Sequence, residues 1–343
     1  MLRAIAAIAF MCGVVASAAA ADDHQVFLDG AGRQVAVPRR IERVFAAGSP
    51  AAITIFTLAP DKLLGWTGPL REEEKAFLPP RAAALPVLGR LTGRANTANV
   101  ETVLAAHPDI VIDLGDVDPT HVSLAERTQQ QTGVPYLLFD GRFDRTPELY
   151  ERLGALLGTP EKAAELAAES RRTLAELRRT LDRLPAAAHP RVYYARGLDG
   201  LETALDGSIN TEMLGYVGAA NVARAPDRHN TATVSLEQVL AWNPDVVITM
   251  DERFYRAVWS SPLWQNVAAV RDKRVYLAPR LPFGWFDSPP AVNRLIGVRW
   301  LAAVLYPQTF ASDLREATSE FYRRFYHVSL NEAQLDTLLK PGR

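Results

Sequence analysis

The segment at residues 279–290, PRLPFGWFDSPP, combines aromatic and arginine side chains in a way that suits ligand recognition. Its four prolines restrict the backbone, so the rings of Phe283, Trp285 and Phe286 would be held in place at low entropic cost. Flat rings beside the fixed guanidinium of Arg280 would suit a bulky anionic ligand. We therefore predict a binding edge in this segment; the alternative is that the rings bury inward.

Other aromatic and arginine residues lie at or just after predicted strands, or in a turn-like stretch between elements. These further candidate binding residues are Trp66, Arg90, Tyr194, Arg196 and Tyr255. Structural alternatives stay open, since Trp66 could cap a core, Arg90 could be a solvated loop charge like Arg94, and Arg196 could be an ordinary surface arginine. Tyr193 and Tyr194 point to opposite faces of one strand, so we expect at least one of them in the core.

Sequence motifs of catalysis and of cofactor binding are missing from the chain. It contains no GxGxxG, GxxxxGK[ST], HExxH or GxSxG pattern. The six histidines show no paired metal-ligand spacing, and the one cysteine is Cys12. The sequence therefore predicts a protein that is not an enzyme, with no cofactor and no resident metal site.

The overall composition favours an ordinary globular protein. The chain has 343 residues, 48% of them hydrophobic, and its net charge is −1. At roughly 150 residues per domain this length suggests two domains. A chain without a basic field has no electrostatic drive toward nucleic acid, which we exclude as a partner.

The N-terminus predicts export. Residues 1–21 carry one charged residue, an apolar run and a small-residue cleavage site, as a secretory signal peptide does. Cleavage would also remove Cys12, and the bulky Phe10 and Met11 before it argue against lipidation. We expect a periplasmic protein without disulfides.

Two copies of one motif indicate two similar lobes. Residues 100–113 (VETVLAAHPDIVID) and 236–249 (LEQVLAWNPDVVIT) match at 8 of 14 positions. Each copy predicts a short helix stopped by proline and then a buried strand. Further strands are expected at residues 43–46, 63–65, 136–139, 191–195 and 274–277.

Alternation of strands and helices predicts an α/β fold with parallel sheets. Pro160, a helical apolar pattern and Pro185 predict one long helix over residues 159–184, which either bridges the lobes or lies on the surface of one of them. The expected organisation is a signal peptide (1–21), an N-terminal α/β lobe (22–146), a connecting helical segment (147–188) and a C-terminal α/β lobe with a terminal helix (189–343).

Residues 26–38 (VFLDGAGRQVAVP), Arg43-Val44 and the two VLAxxPDxVI motifs resemble class III periplasmic substrate-binding proteins. That family serves ABC importers of ferric siderophores, haem, cobalamin and, in one branch, molybdate or tungstate. The resemblance implies two Rossmann-like lobes joined by one long α-helix, a ligand cleft between them, and delivery to a membrane permease with a cytoplasmic ATPase.

Within this family the sequence leads us to expect a receptor for a metal chelate, with a ferric siderophore as the first hypothesis. Molybdate or tungstate is the alternative, held by convergent donors such as Arg196 with backbone N–H groups. Haem and cobalamin also stay open. A periplasmic metal-cluster enzyme on the same fold is disfavoured, because the cysteines and histidine pairs that such clusters need are missing.

The resemblance also implies docking to the permease through one surface glutamate in each lobe. In the second lobe the matching position is Gly215, and Glu212 lies one turn earlier. In the first lobe Thr54 stands where the glutamate is expected, and Asp61 is the nearest acidic substitute. We predict Glu212 as a docking residue and a monomeric protein.

Overall fold

The computed structural model describes residues 23–93, 96–184, 189–225, 230–310 and 313–340. The predicted signal peptide, Cys12 and Arg94 lie outside these ranges. Within them, no helix combines the length and the apolar character that crossing a membrane would require.

The first lobe carries a parallel sheet. The strands of the first lobe are β1 (His24–Leu28), β2 (Gln34–Pro38), β3 (Val44–Ala46), β4 (Ile110–Gly115) and β5 (Tyr136–Asp140). Its helices are α1 (Ser49–Leu58), α2 (Glu72–Lys75), α3 (Pro80–Ala83), α4 (Val100–Ala106), α5 (Pro119–Thr132) and α6 (Thr146–Leu157). Strands β3, β4 and β5 pair in parallel in that order, after an antiparallel β1-β2 hairpin. The strand predicted at residues 63–65 is wrong, because only an isolated bridge joins Leu63 to Val44.

The long helix α7 (Pro160–Leu181) leads to a second lobe with the same kind of sheet. The strands of the second lobe are β6 (Arg191–Ala195), β7 (Glu202–Ala204), β8 (Ala220–Asn221), β9 (Thr231–Thr233), β10 (Val246–Thr249) and β11 (Val275–Leu277). Its helices are α8 (Glu212–Tyr216), α9 (Leu236–Trp242), α10 (Glu252–Val258), α11 (Ala268–Arg271), α12 (Arg294–Leu305), α13 (Pro307–Phe310), α14 (Leu314–Phe325) and α15 (Glu332–Leu339). Parallel strands follow the order β11-β10-β6-β8, which confirms the predicted α/β class.

The two motif copies fold into the same unit. Helices α4 and α9 are capped by the side chains of Asn99 and Ser235 and end at residues with φ of 44°. The motif aspartates then hold the start of a neighbouring strand, since Asp109 accepts hydrogen bonds from the backbone N–H of Arg43 and Asp245 from that of Arg191. The repeat is therefore a structural device that sets the register between parallel strands.

Helix α7 packs against α1 and α6 of the first lobe and against α12. Its 22 residues span about 33 Å at about 1.5 Å per residue. One cluster of buried side chains runs from the first-lobe sheet through α7 to α12, α14 and the second-lobe sheet. Both lobes thus share a continuous core on the side of the molecule formed by these helices.

Candidate functional site

A cleft of about 730 Å³ lies between the lobes, at the carboxyl ends of strands from both sheets. We call it the interlobe cleft. Its first-lobe lining comprises residues 48–50, Arg90, Thr92, Gly93, residues 113–116 and His121. Its second-lobe lining comprises Arg196, residues 208–210, residues 230–231 and residues 287–290. Open α/β sheets bind ligands at this edge, so the cleft is the candidate binding site.

The start of α1 forms part of the first-lobe wall. Gly48 is the N-cap residue and makes no side-chain cap, and Pro50 follows in the first turn. The first N–H groups of a helix have no partner inside it and lie at its positive end, so they suit an anion. A Cβ at position 48 would stand 2.7 Å from the Thr92 Oγ1 atom. The missing side chain therefore lets the Thr92 hydroxyl lie against the helix start.

Asp113 is the buried acid of this wall. It ends the first motif copy in β4 and is only 4% exposed. The Thr92 hydroxyl donates to its Oδ1 atom at 3.0 Å, and the Tyr136 hydroxyl donates to its Oδ2 atom at 3.1 Å. Burial raises the pKa of the Asp113 carboxyl above its ordinary value, because these hydroxyl contacts only partly replace lost solvation.

Arg196 and Asp287 form the charged pair of the second-lobe wall. Arg196 Nη1 lies 2.8 Å from Asp287 Oδ2, and Arg196 Nε lies 3.3 Å from a Glu202 oxygen. Asp287 also accepts hydrogen bonds from the Tyr194 hydroxyl at 3.2 Å and from the backbone N–H of Ser288 at 2.6 Å. Burial raises the pKa of Asp287, and the charge of Arg196 opposes that shift. The carboxylate thereby fixes the guanidinium at the cleft.

The predicted aromatic binding edge at residues 279–290 is wrong. Trp285 and Phe286 are fully buried, and Phe283 is 8% exposed. The Trp285 Nε1 donates to the Tyr322 hydroxyl at 3.2 Å, and Phe286 packs against the Tyr194 ring with centroids 4.5 Å apart. The rings bury inward, because Tyr322 on α14 and Tyr194 on β6 offer them partners inside the protein.

The other predicted aromatic contacts also lie away from the cleft. Trp66 is 4% exposed, donates to the Ala82 carbonyl at 2.7 Å and packs 5.5 Å from the Phe283 ring. Tyr194 is 1% exposed and acts on the cleft only through Asp287. Tyr255 packs against Trp259 in a separate core cluster. Their apolar rings are satisfied by packing, so their prediction as direct ligand contacts is wrong.

Of the three predicted arginines, Arg90 and Arg196 line the cleft and Arg280 does not. Arg280 instead lines a separate groove of about 540 Å³ with Arg71 and Lys340. The difference arises because Arg280 is exposed, and the chain then runs through the core at residues 282–286 before it reaches the cleft at residue 287.

Glu212 does not present a free surface carboxylate. Its Oε2 accepts from the backbone N–H of Phe143 and from Arg294 Nη1, each at 3.0 Å. The buried Arg294 also donates to the Gly141 carbonyl of the first lobe at 2.7 Å. The carboxylate is engaged in this junction between the lobes while its side chain is 20% exposed, and docking through Glu212 stays a prediction.

Sequence reasoning missed most of the polar cleft lining. Asp287 and Ser288 precede two prolines in the sequence, as helix-capping residues can, but α12 begins only at Arg294, and Asp287 binds Arg196 instead. Gly48 and Asp113 were not singled out. Their common signal is position, since both lie at the carboxyl end of a parallel strand, where polar residues line ligand sites.

Among the described residues, no group of three or more His, Cys, Asp or Glu side chains is placed to hold a metal ion. The lining of the cleft offers hydrogen bonding and charge pairing. Its donors are guanidinium groups, hydroxyls and the backbone N–H groups at the start of α1.

Comparisons with known proteins agree with this architecture. The family model described as a periplasmic binding protein matches residues 76–281. The chain thus belongs to the periplasmic binding protein family that supplies substrates to ABC transporters, and the resemblance drawn from residues 26–38 and the two motifs is confirmed.

Individual relatives cover most of the chain. The ABC transporter solute-binding protein of Sulfurospirillum deleyianum shares 30% identity with a TM-score of 0.84, covering 92% of this chain and 99% of its own. The molybdate-binding protein MolA of Haemophilus influenzae is 29% identical over an alignment 263 positions long, which covers 70% of this chain and 73% of the relative. The structure of MolA bound to molybdate aligns with a TM-score of 0.71 and 25% identity, over 90% of this chain and 99% of its own.

Proposed function

We propose that this protein captures a tetrahedral oxyanion of the molybdate or tungstate class in the interlobe cleft and delivers it to an ABC permease. The observation that carries the proposal is the lining of the cleft, whose described residues include arginines, hydroxyls and a helix start but no Phe, Tyr or Trp ring. Such a lining suits a small anion that is held by fixed N–H and O–H donors. The similarity to a molybdate-binding protein supports the same ligand class.

Arg196 is the central positive group in this proposal. Its contacts with Asp287 and Glu202 use Nη1 and Nε, which leaves Nη2 for a ligand. The backbone N–H groups at the start of α1 supply donors from the opposite wall. A small anion between the walls would be held by donors from both lobes.

A ferric siderophore remains the second candidate, and the volume of the cleft is the observation that favours it. About 730 Å³ exceeds what a bare oxyanion fills and would accommodate a chelate. The buried rings of Trp66, Trp285 and Phe286 argue against this candidate, because they were the expected contacts to a flat organic ligand.

The proposal extends to the setting of the protein. Export through a signal peptide at residues 1–21 would deliver the chain to the periplasm, where it would act as a monomer with a permease and its ATPase. Docking through Glu212 would have to occur with one of its carboxylate oxygens already bonded to Arg294 between the lobes.

Calorimetric titration tests the ligand class. The mature protein is unfolded, refolded to remove carried ligand, and titrated with molybdate, tungstate, ferric catecholate, ferric hydroxamate, haem and cobalamin. No tryptophan lines the cleft, so heat is a more direct readout than intrinsic fluorescence. We expect saturable heat with molybdate and tungstate. Saturation by a ferric chelate alone would replace the proposal with the second candidate.

A matched pair of arginine variants tests the site. Arg196→Gln should weaken molybdate binding by about 10- to 150-fold, the scale of losing about 1.5–3 kcal/mol from a charged hydrogen bond. Arg280→Gln makes the same chemical change in the separate groove and should leave the affinity unchanged. Equal losses in both variants would place the ligand elsewhere.

A further inference from the structure

Asp113 is a negatively ionisable group inside a cleft to which we assign an anionic ligand. Its Oδ1 atom lies 3.7 Å from the point that a Cβ on Gly48 would occupy, so the carboxyl stands beside the start of α1. Among the described side chains, the two that donate hydrogen bonds to it are neutral hydroxyls, those of Thr92 and Tyr136. Among the described residues, no lysine, arginine or histidine forms an ion pair with it. Within the described part of the chain the carboxyl is thus buried without an ion-pair partner, and the charge of His121 only partly opposes the effect of burial on its pKa.

An oxyanion held at the start of α1 would share this position with Asp113. Two negative groups in one poorly solvated site cannot both stay ionised at low cost, so one of them takes up a proton. Molybdate is a stable dianion at neutral pH, whereas the carboxyl already has a pKa above its ordinary value because of burial. The carboxyl is therefore the group that accepts the proton.

Other charged and titratable groups surround this carboxyl and must be separated from it in the experiment. They are Tyr136 on β5 with the Arg33–Asp29 pair behind it, His121 and Asp118 on and before α5, Arg90 and Asp116 in the cleft lining, and Arg196 with Asp287 on the opposite wall. Burial and Asp113 hold the pKa of Tyr136 well above its ordinary value, so this hydroxyl stays neutral. His121 lines the same cleft and its ring nitrogen bonds to Asp118, so the experiment must separate His121 from Asp113.

We propose that oxyanion capture is coupled to protonation of Asp113. This inference rests on the proposed function and names the residue that adapts the cleft to a dianion. One proton moves from solvent to a carboxylate oxygen of Asp113 as the ligand enters, and the new O–H becomes a donor toward the ligand. Protonation thereby removes the repulsion between the Asp113 carboxylate and the anion, and a hydrogen bond forms between them instead.

The sign of the pH dependence follows from linkage. Bound ligand raises the pKa of Asp113 further, so affinity is greatest below the pKa of the empty cleft and falls as pH rises toward the pKa of the loaded cleft. Within that window the affinity for molybdate should fall by about tenfold for each pH unit, with uptake approaching about one proton per ion.

Calorimetry in paired buffers measures this uptake directly. Wild-type protein is titrated with molybdate at fixed pH values from neutral upward, in buffers that differ in ionisation enthalpy. The dependence of the observed heat on that enthalpy gives the number of protons bound. We expect proton uptake in the wild type and none with Asp113→Asn, whose affinity should be independent of pH. Asp61→Asn removes a carboxylate that is 84% exposed in the same lobe and should keep the wild-type profile.

Two more variants keep the test decisive. Tyr136→Phe removes one hydroxyl donor from the carboxylate, so the affinity plateau should extend to higher pH. His121→Gln should leave the uptake in place. Molybdate binding without proton uptake, or uptake that survives Asp113→Asn and disappears with His121→Gln, would overturn the inference and leave the proposed function standing. Wild-type protein that binds no molybdate at any pH would overturn both.

Discussion

At the scale of single residues, two side chains that were both predicted to contact the ligand lie in opposite environments. Trp285 and Arg196 were both candidates for ligand contact, and the structure gives them opposite surroundings. The indole is enclosed and its N–H is bonded to the Tyr322 hydroxyl. The guanidinium lies at the cleft, where Asp287 orients it. A ring loses little when it leaves water, whereas a charge must keep partners or solvent, and this difference decides the two placements.

The burial of Trp285 makes stability the property that its loss should affect. Trp285→Ala should lower the free energy of unfolding by about 3–5 kcal/mol, because a large cavity is left among rigid neighbours. Trp259→Ala, at a half-buried ring in the second lobe, should cost clearly less. Denaturant unfolding of both variants measures the difference. A Trp285→Ala protein that stayed stable but no longer bound the ligand would show instead that this ring contacts the ligand.

At the scale of elements, helix α12 packs so closely against the segment of buried rings that the contact has no room for an extra atom. Helix α12 presses Gly297 against the segment that carries the buried rings, and an added Cβ would stand 1.7 Å from the Trp285 carbonyl oxygen. Backbone cannot yield as a side-chain end can, so the glycine permits this close approach. The same packing turns residues 283–286 inward and brings residue 287 to the cleft.

Two glycine variants test this contact between elements. Gly297→Ala should lower the free energy of unfolding by at least about 1–3 kcal/mol, the usual cost of overpacking. Gly215→Ala lies in α8 with nothing within 4 Å of the new Cβ, so its better helix propensity should be neutral or stabilising by up to about 1 kcal/mol. Thermal and denaturant unfolding report both values. Equal destabilisation would mean that the close approach is not what the first variant disturbs.

At the scale of the whole molecule, the two lobes are joined by more than α7. Arg294 is buried at the junction, where Glu212 accepts from its Nη1 and the Gly141 carbonyl accepts from its Nη2. Burial lowers the pKa of Arg294, and the Glu212 carboxylate opposes that shift. Removing the carboxylate would leave a buried charge without a partner.

We expect loss of the Glu212 carboxylate at this junction to lower the stability of the protein strongly. Glu212→Ala should lower the free energy of unfolding by about 3–5 kcal/mol, as breaking one half of a buried ion pair does. Glu176→Ala breaks the more exposed pair with Arg299 and should cost about 0–1 kcal/mol. Denaturant unfolding compares the two. Similar small losses would show that solvent reaches the Arg294 guanidinium.

Local pattern in the sequence determined the parallel sheets, the repeated helix-strand unit, the long helix and the family. Periodicity, caps and proline stops act between near neighbours, so they can be read along the chain. The motif aspartates extend this local pattern to the pairing of strands, because each accepts a hydrogen bond from the backbone at the start of a neighbouring strand.

Only the tertiary structure decided which residues face the ligand. The aromatic segment turned inward because α14 supplies partners such as Tyr322 from 37 residues away. Asp287 reached Arg196 across 91 residues, and Glu212 met Arg294 across 82. Burial and ion pairing depend on such distant partners, because the free energy of a polar or apolar group is set by its surroundings rather than by its neighbours in sequence.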